Sequence, residues 1–207
     1  MLAQAADVAA MPHVAIGTKF NERPATRETL GQLRQGGFTL YLRHGTTDNS
    51  KADRFPAVDL NDCSTQRPLT DEGRALAARV GRGMRAAHMP IKSIFISPLC
   101  RVKDTAAAAF PGRKVQVDPM LMYTGNLTDA QKAPIVDHTR RLLAEPVEAG
   151  SNRLVIAHAP NLMDLMGYFP KEATLVVLRP KGDAGFDYVA SIPPDLWADL
   201  LPAERIK

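Results

Sequence analysis

Arg43 and His44 stand side by side, Arg101 closes the run Ser97-Pro98-Leu99-Cys100-Arg101, and His158 ends the apolar run Leu154-Val155-Ile156-Ala157. Two guanidiniums present planar donor forks that match a tetrahedral oxyanion bidentately. An imidazole in their field can attack phosphorus, because histidine is a covalent nucleophile. A phosphoryl group in flight needs its equatorial oxygens neutralised, and arginine with an N–H-donating histidine does this without a metal. Neither a Walker A loop nor a histidine and carboxylate spacing typical of a metal site occurs, so the expectation is no cofactor and no metal. Taken singly, an Arg-His pair or a histidine after a strand is more often structural. The case rests on the three features arising together.

The elements around them explain how they meet. The run 38–42 is rich in β-formers and almost wholly apolar, as in a strand buried on both faces of a parallel sheet. It leads straight into Arg43-His44. Two further strands, 93–97 and 153–157, lead into Arg101 and His158. Parallel strands end on one rim, so both histidines and both arginines should face one pocket. Helices are expected from an N-cap at Thr26 to Gly36-Gly37, from 70 to about 87, from 102 to 110, over about 133–144 and over 161–166. A short strand at 115–117 and a hairpin of 174–178 with 186–192, joined by 181–185, complete the set. The order βαβαβαβ followed by a hairpin implies a three-layer α/β/α sandwich with a mostly parallel central sheet. Residues 49–69 and 119–130 read as irregular segments, and long loops of this kind are usually functional.

At 207 residues, with 45% hydrophobic and 23% charged residues, the chain is ordinary globular material. It reads as a terminal arm, 1–25, and a single catalytic domain, 26–207. The net charge of +4 comes from scattered basic residues with no interleaved aromatics, which argues against nucleic acid. No stretch is long and apolar enough for a membrane span. The start lacks a basic n-region and an apolar h-region, yet Leu2-Ala3-Gln4-Ala5 looks like the small-residue end of a signal peptide.

Four motifs in order carry a resemblance. Leu42-Arg43-His44-Gly45-Thr46-Thr47 resembles the R-H-G motif of the histidine phosphatase superfamily, whose fold is phosphoglycerate-mutase-like. Leu69-Thr70-Asp71-Glu72-Gly73 with Ala77 is similar to its L-T-x-x-G helix start. Ser97-Pro98-Leu99-Cys100-Arg101 with Thr105-Ala106 is similar to its S-P-x-x-R-x-x-x-T-A segment. Val155-Ile156-Ala157-His158-Ala159 resembles its second-histidine strand. The resemblance implies that His44 is the nucleophile that becomes phosphohistidine. It implies that Arg43 and Arg101 hold the phosphoryl oxygens, that His158 donates to the same oxygens, and that Thr47 adds a hydroxyl contact. It implies a metal-free phosphomonoesterase of the acid phosphatase kind acting on a small-molecule phosphate ester, with phosphate or a similar oxyanion in the pocket. Exported members of the family suggest a sugar or lipopolysaccharide-core phosphate.

The chain departs from the family at the general acid. Many members carry a glutamate in an L-x-E segment after the third strand, where this chain reads Leu121-Met122-Tyr123. Others place an aspartate after the second histidine, where this chain has Ala159. The remaining candidates are Asp48 and Glu172, with Asp164 third. Asp48 is read equally well as a residue that orients His44 or Arg43, and Glu172 equally well as a surface partner. Gln66 and Arg67 are candidate substrate contacts beyond the phosphate. Cys63 lies in the long loop and Cys100 beside a pocket arginine. A Cys63–Cys100 disulfide would pin the loop over the pocket and would need an oxidising compartment, giving a periplasmic or secreted protein. Two free thiols in a cytoplasmic protein are the alternative. Competing functions are a mutase, disfavoured by the absence of a long insertion after the third strand, and a non-catalytic phospho-ligand binding module.

Overall fold

The computed structural model describes residues 20–54 and 58–201. The expected signal-peptide remnant at residues 2–5 lies outside them. Six strands form one sheet in the order β3-β2-β4-β1-β5-β6. They are β1 (Thr39–Arg43), β2 (Ile91–Ile96), β3 (Gln116–Val117), β4 (Asn152–Ala157), β5 (Leu175–Pro180) and β6 (Phe186–Ile192). The first four are mutually parallel, whereas β5 runs antiparallel to β1, and β6 antiparallel to β5. The helices are α1 (Arg27–Gln35), α2 (Asp71–Ala86), α3 (Cys100–Ala109), α4 (Asp129–Ala144), α5 (Ala159–Met166) and the short α6 (Trp197–Leu200).

Alternation along the strands builds two cores. Leu40, Leu42, Ile94, Ile96, Leu154, Ile156 and Val177 pack on one face with residues of α1, α2, α3 and α6. Tyr41, Val155, Ala157, Val176 and Leu178 pack on the other with residues of α4 and α5. A period-2 side-chain pattern with apolar groups at both parities is what a sheet covered on both sides requires. The result is the three-layer, mostly parallel α/β sandwich.

Thr26 caps α1 with a reciprocal box to Thr29, and Gly36 ends it at φ 79°. The last residues of the expected arm are packed: Ala25 N–H donates to Ser191 O, Ser191 N–H donates to Arg23 O, and Phe20 stacks on Tyr168. α4 starts four residues before the expected 133. Thr128 and Gln131 form a capping box that begins the helix, and Pro134 lies inside it. The proline removes one N–H, but Ala130 and Pro134 are both exposed, so solvent can take that bond's place. The segment 119–130, expected to be irregular, contains a short 3-10 turn, Pro119–Leu121, and the first turn of α4.

Candidate active site

The carboxyl ends of β1, β2 and β4 do converge. His44 N–H donates to Ala157 O and Ser97 N–H to Ile156 O, which locks the three strand exits together. The His44 and His158 rings lie 5.3 Å apart between centroids. Thr105 in α3 accepts Gly45 N–H at 3.1 Å and donates to Arg101 O at 2.7 Å, tying the turn after His44 to the helix that carries Arg101.

The glycine of the first motif and that of the second exist for each other. A Cβ on Gly45 would lie 2.5 Å from Gly73 O, and one on Gly73 would lie 2.1 Å from Thr46 O. The start of α2 therefore presses directly against the turn that presents His44. Thr70 caps α2 at Gly73 N and also donates its hydroxyl and its N–H to Thr46 O.

His44 Nδ1 lies 2.8 Å from Gly45 O. A carbonyl only accepts, so Nδ1 carries the proton and Nε2 carries the lone pair. Burial, together with the nearby Arg101, Arg43 and Arg67 charges, pushes the His44 pKa down to about 3 despite the Gly45 hydrogen bond. The imidazole is thus neutral and nucleophilic across the physiological range. His158 is fully buried and held well below the ordinary histidine value, first by burial and then by Arg101. Its Nε2 lies 2.8 Å from Ser97 Oγ, and its Nδ1 is buried with no partner in the protein. A serine hydroxyl donating to Nε2 leaves the proton on Nδ1, the form in which His158 can donate to an anion.

Three guanidiniums face this centre. Arg43 Nη1 donates to Pro170 O at 2.6 Å, and its Nη2 lies 3.5 Å from Glu172 Oε1. Arg101 Nη1 lies 2.8 Å from Asp53 Oδ1. Arg67 Nη1 donates to Asn49 Oδ1 at 3.3 Å. Arg43 Nε, Arg67 Nε, Arg101 Nε and Arg101 Nη2 are buried and unpaired within the protein. Buried N–H groups without partners are costly, and several of them around one histidine make an anion-binding centre.

A cavity of about 180 Å³ opens over His44, lined by Arg43, Thr47 and Arg67 together with Tyr123, Phe169 and Glu172. That is smaller than the roughly 300 Å³ at which drug-sized pockets begin. It suits a phosphoryl group and the first atoms of an ester. Tyr123 stands edge-on to the His158 ring at 5.5 Å, and Asn161 holds its segment by donating to Met122 O at 2.8 Å.

The residues expected from the sequence divide. Arg43, His44, Thr47, Arg67 and Glu172 line the cavity, and Arg101 and His158 are fully buried beside it. Asp48 is not among the residues that line the cavity: its Oδ1 accepts from Ser50 N–H and Oγ–H, and those bonds hold its carboxyl below the usual range. It caps its own turn. Asp164 is bound to Lys132 at 2.9 Å. Gln66 is also used internally, its amide accepting from Cys100 N–H and donating to Asp59 O, both at 2.8 Å. It joins the loop to α3. Cys63 and Cys100 are disulfide-bonded, with Cα atoms 5.7 Å apart, and the loop is pinned beside the pocket. Among the described residues, no helix is long and apolar enough to cross a membrane.

Sequence reasoning missed Asp53, Tyr123 and Phe169 as groups of the site. Asp53 sits in an aperiodic loop, and Phe169 follows the end of α5, so neither carries a pattern. The Tyr123 segment drew notice only for lacking a carboxylate.

Residues 40–137 match the family model of the histidine phosphatase superfamily, branch 1. The match contains Arg43, His44 and Arg101, while His158 and Glu172 lie beyond it and enter the site by geometry. No curated protein is similar enough to match. Among solved structures, the protein histidine phosphatase SixA complexed with tungstate is 17% identical, with TM-score 0.52, over 76% of this chain and 97% of that one. The alpha-ribazole phosphatase from Shigella flexneri is 14% identical, with TM-score 0.56, over 76% of this chain and 96% of that one. At these identities the likeness is one of fold, and it agrees with the phosphoglycerate-mutase-like architecture.

Proposed function

Within the histidine phosphatase superfamily, to which the matched stretch assigns this chain, we propose that the protein is a phosphomonoesterase working through a phosphohistidine on His44. The observation that carries this reading is the neutral His44, its Nε2 lone pair free, among buried N–H groups of Arg43, Arg67, Arg101 and His158 that have no protein partner.

In the first step Nε2 attacks phosphorus, the ester P–O bond breaks, and the leaving oxygen takes a proton. The equatorial oxygens are held by the arginines and by His158 Nδ1–H. In the second step water attacks the phosphohistidine, the P–N bond breaks, and inorganic phosphate leaves with the water's proton passed to the same acid–base group. Glu172 is the carboxyl group among the residues that line the cavity, beside Arg43, which supports it as the acid–base group. The small cavity with an exposed aromatic, Phe169, at its mouth supports a compact ester such as a sugar phosphate, including one on a lipopolysaccharide core. The disulfide supports folding in an oxidising compartment, the periplasm or outside the cell.

The test is release of free phosphate from an aryl phosphate at pH 5 to 7.5 with chelator present. Turnover that chelator leaves intact and His44→Ala abolishes supports the phosphohistidine route. No turnover on any of a panel of phosphomonoesters, with tungstate still bound by wild type and His44→Ala alike, would replace this reading with a binding module.

A further inference from the structure

The loop between β1 and α2 delivers more to the site than cover. Asp53 Oδ1 accepts two hydrogen bonds, from Arg101 Nη1 at 2.8 Å and from Arg67 N–H at 2.9 Å. Both partners of the ion pair are out of solvent, the side chains being 0% exposed for Arg101 and 7% for Asp53. Burial alone would raise the Asp53 carboxyl, but the Arg67 N–H and the Arg101 charge outweigh it and hold it below the usual range. The carboxylate is therefore a fixed negative charge.

A guanidinium has five N–H donors along three sides, and in water it turns freely about its last bonds. Arg101 has lost that freedom. Asp53 takes Nη1, and the Tyr123 ring lies 5.3 Å below the guanidinium carbon. What remains is the edge formed by Nε and Nη2, and those two nitrogens are buried and unpaired. Two parallel N–H bonds from one edge match two oxygens of a tetrahedral anion.

We propose that Asp53 is a positioning residue for Arg101, holding its guanidinium so that the Nε/Nη2 edge meets the phosphoryl group. The proposal takes from the phosphatase reading only that the ligand is a phosphoryl-like oxyanion. Asp53 does not touch substrate; it acts through Arg101. The same oxygen, bonded to Arg67 N–H, fixes where the third guanidinium enters the cavity. Holding these charges in place before the anion arrives removes an ordering cost from binding.

The experiment is a double-mutant cycle on the full, oxidised chain, read by tungstate binding in calorimetry, with phosphoester kinetics and thermal unfolding alongside. Asp53→Ala is expected to weaken tungstate binding about tenfold to a hundredfold, the scale of one charge-assisted hydrogen bond. In an Arg101→Ala background the same change should cost several-fold less than in wild type, because only the bond to Arg67 N–H is left to lose. Asp53→Asn keeps an oxygen that accepts both hydrogen bonds and should recover most of the binding, and kcat should follow binding through the series. Tighter tungstate binding in Asp53→Ala would overturn the proposal, since Asp53 would then be a competitor for Arg101. So would an equal loss in the Arg101→Ala background, which would mean general disruption. If Asp53→Ala fails to fold, Asp53→Glu, which keeps the charge but shifts the carboxylate by one methylene, should bind tungstate more weakly than Asp53→Asn; equal or tighter binding overturns the proposal. A wild type that binds tungstate and obeys the cycle but turns over no phosphoester would sink the phosphatase reading and leave this one standing.

Discussion

The rim of the sheet and the loop that crosses it hold the same kind of group by different means. At the rim, Arg43, His44 and His158 are placed by strand pairing: β1 and β4 lie in parallel register, and the backbone alone brings their ends together. In the loop, Arg67 and Asp53 are placed by side chains: the disulfide to α3, the Gln66 bond to Cys100, and the Asp53 bonds to Arg101 and Arg67. The rim is rigid because every residue of β4 is buried between two layers. Arg67 and Asp53 keep their places only while a few named bonds persist. The nucleophile sits on the first, and a share of the grip on the anion, that of Arg67 and Arg101, depends on the second.

The comparison can be broken by perturbing one region at a time. His44→Ala should lower turnover by about 10⁴-fold or more, as loss of a covalent nucleophile does, while tungstate binding stays within a few-fold; equal loss of both would erase the division. Cys63→Ser together with Cys100→Ser should cost about 4 kcal/mol in urea unfolding, from releasing a closed loop with sequence separation 37. Its kinetic effect should fall mainly on KM, because the loop carries grip and not attack. Gly73→Ala forces a methyl group against Thr46 O and should cost about 3 kcal/mol. It strikes the rim from outside, so here kcat should fall with stability.

The last effect vanishes at neutral pH. His44 titrates near 3 in the native protein and at an ordinary value of 6.5 when unfolded. The unfolded chain therefore takes up a proton first as pH falls, and stability declines between about 6.5 and 3 before levelling. His44→Asn should flatten part of that slope in pH-dependent unfolding, with no change above pH 7.

The same division governs what the sequence revealed. Strand-end residues were legible because a buried apolar strand is a strong pattern and parallel topology gives all its exits one rim. The α2 stripe of Ala77, Val80 and Met84 and the Thr26 cap were legible for similar reasons. Loop residues obey no period. Gln66 is a candidate substrate contact because its loop should cross the rim, yet an amide can satisfy backbone groups as readily as a substrate. Asp48 was expected near His44 from adjacency in sequence, but a short aspartate finds its own turn first. Asp53 left no trace, because its partner is 48 residues away. The start of α4 lies four residues before the expected 133 because the Thr128–Gln131 capping box begins the helix upstream of Pro134.

The Cys63–Cys100 bond closes a covalent ring through α2 and β2, and the turn joining those two elements, at exposed His88, lies on that ring. One peptide cut there would not divide the molecule. The first piece would carry Arg43, His44, Asp53 and Arg67, the second Arg101 and His158, and a single sulfur–sulfur link would keep them one particle. A protease nick in this turn would thus leave each half of the anion centre tethered to the other until a reductant arrives.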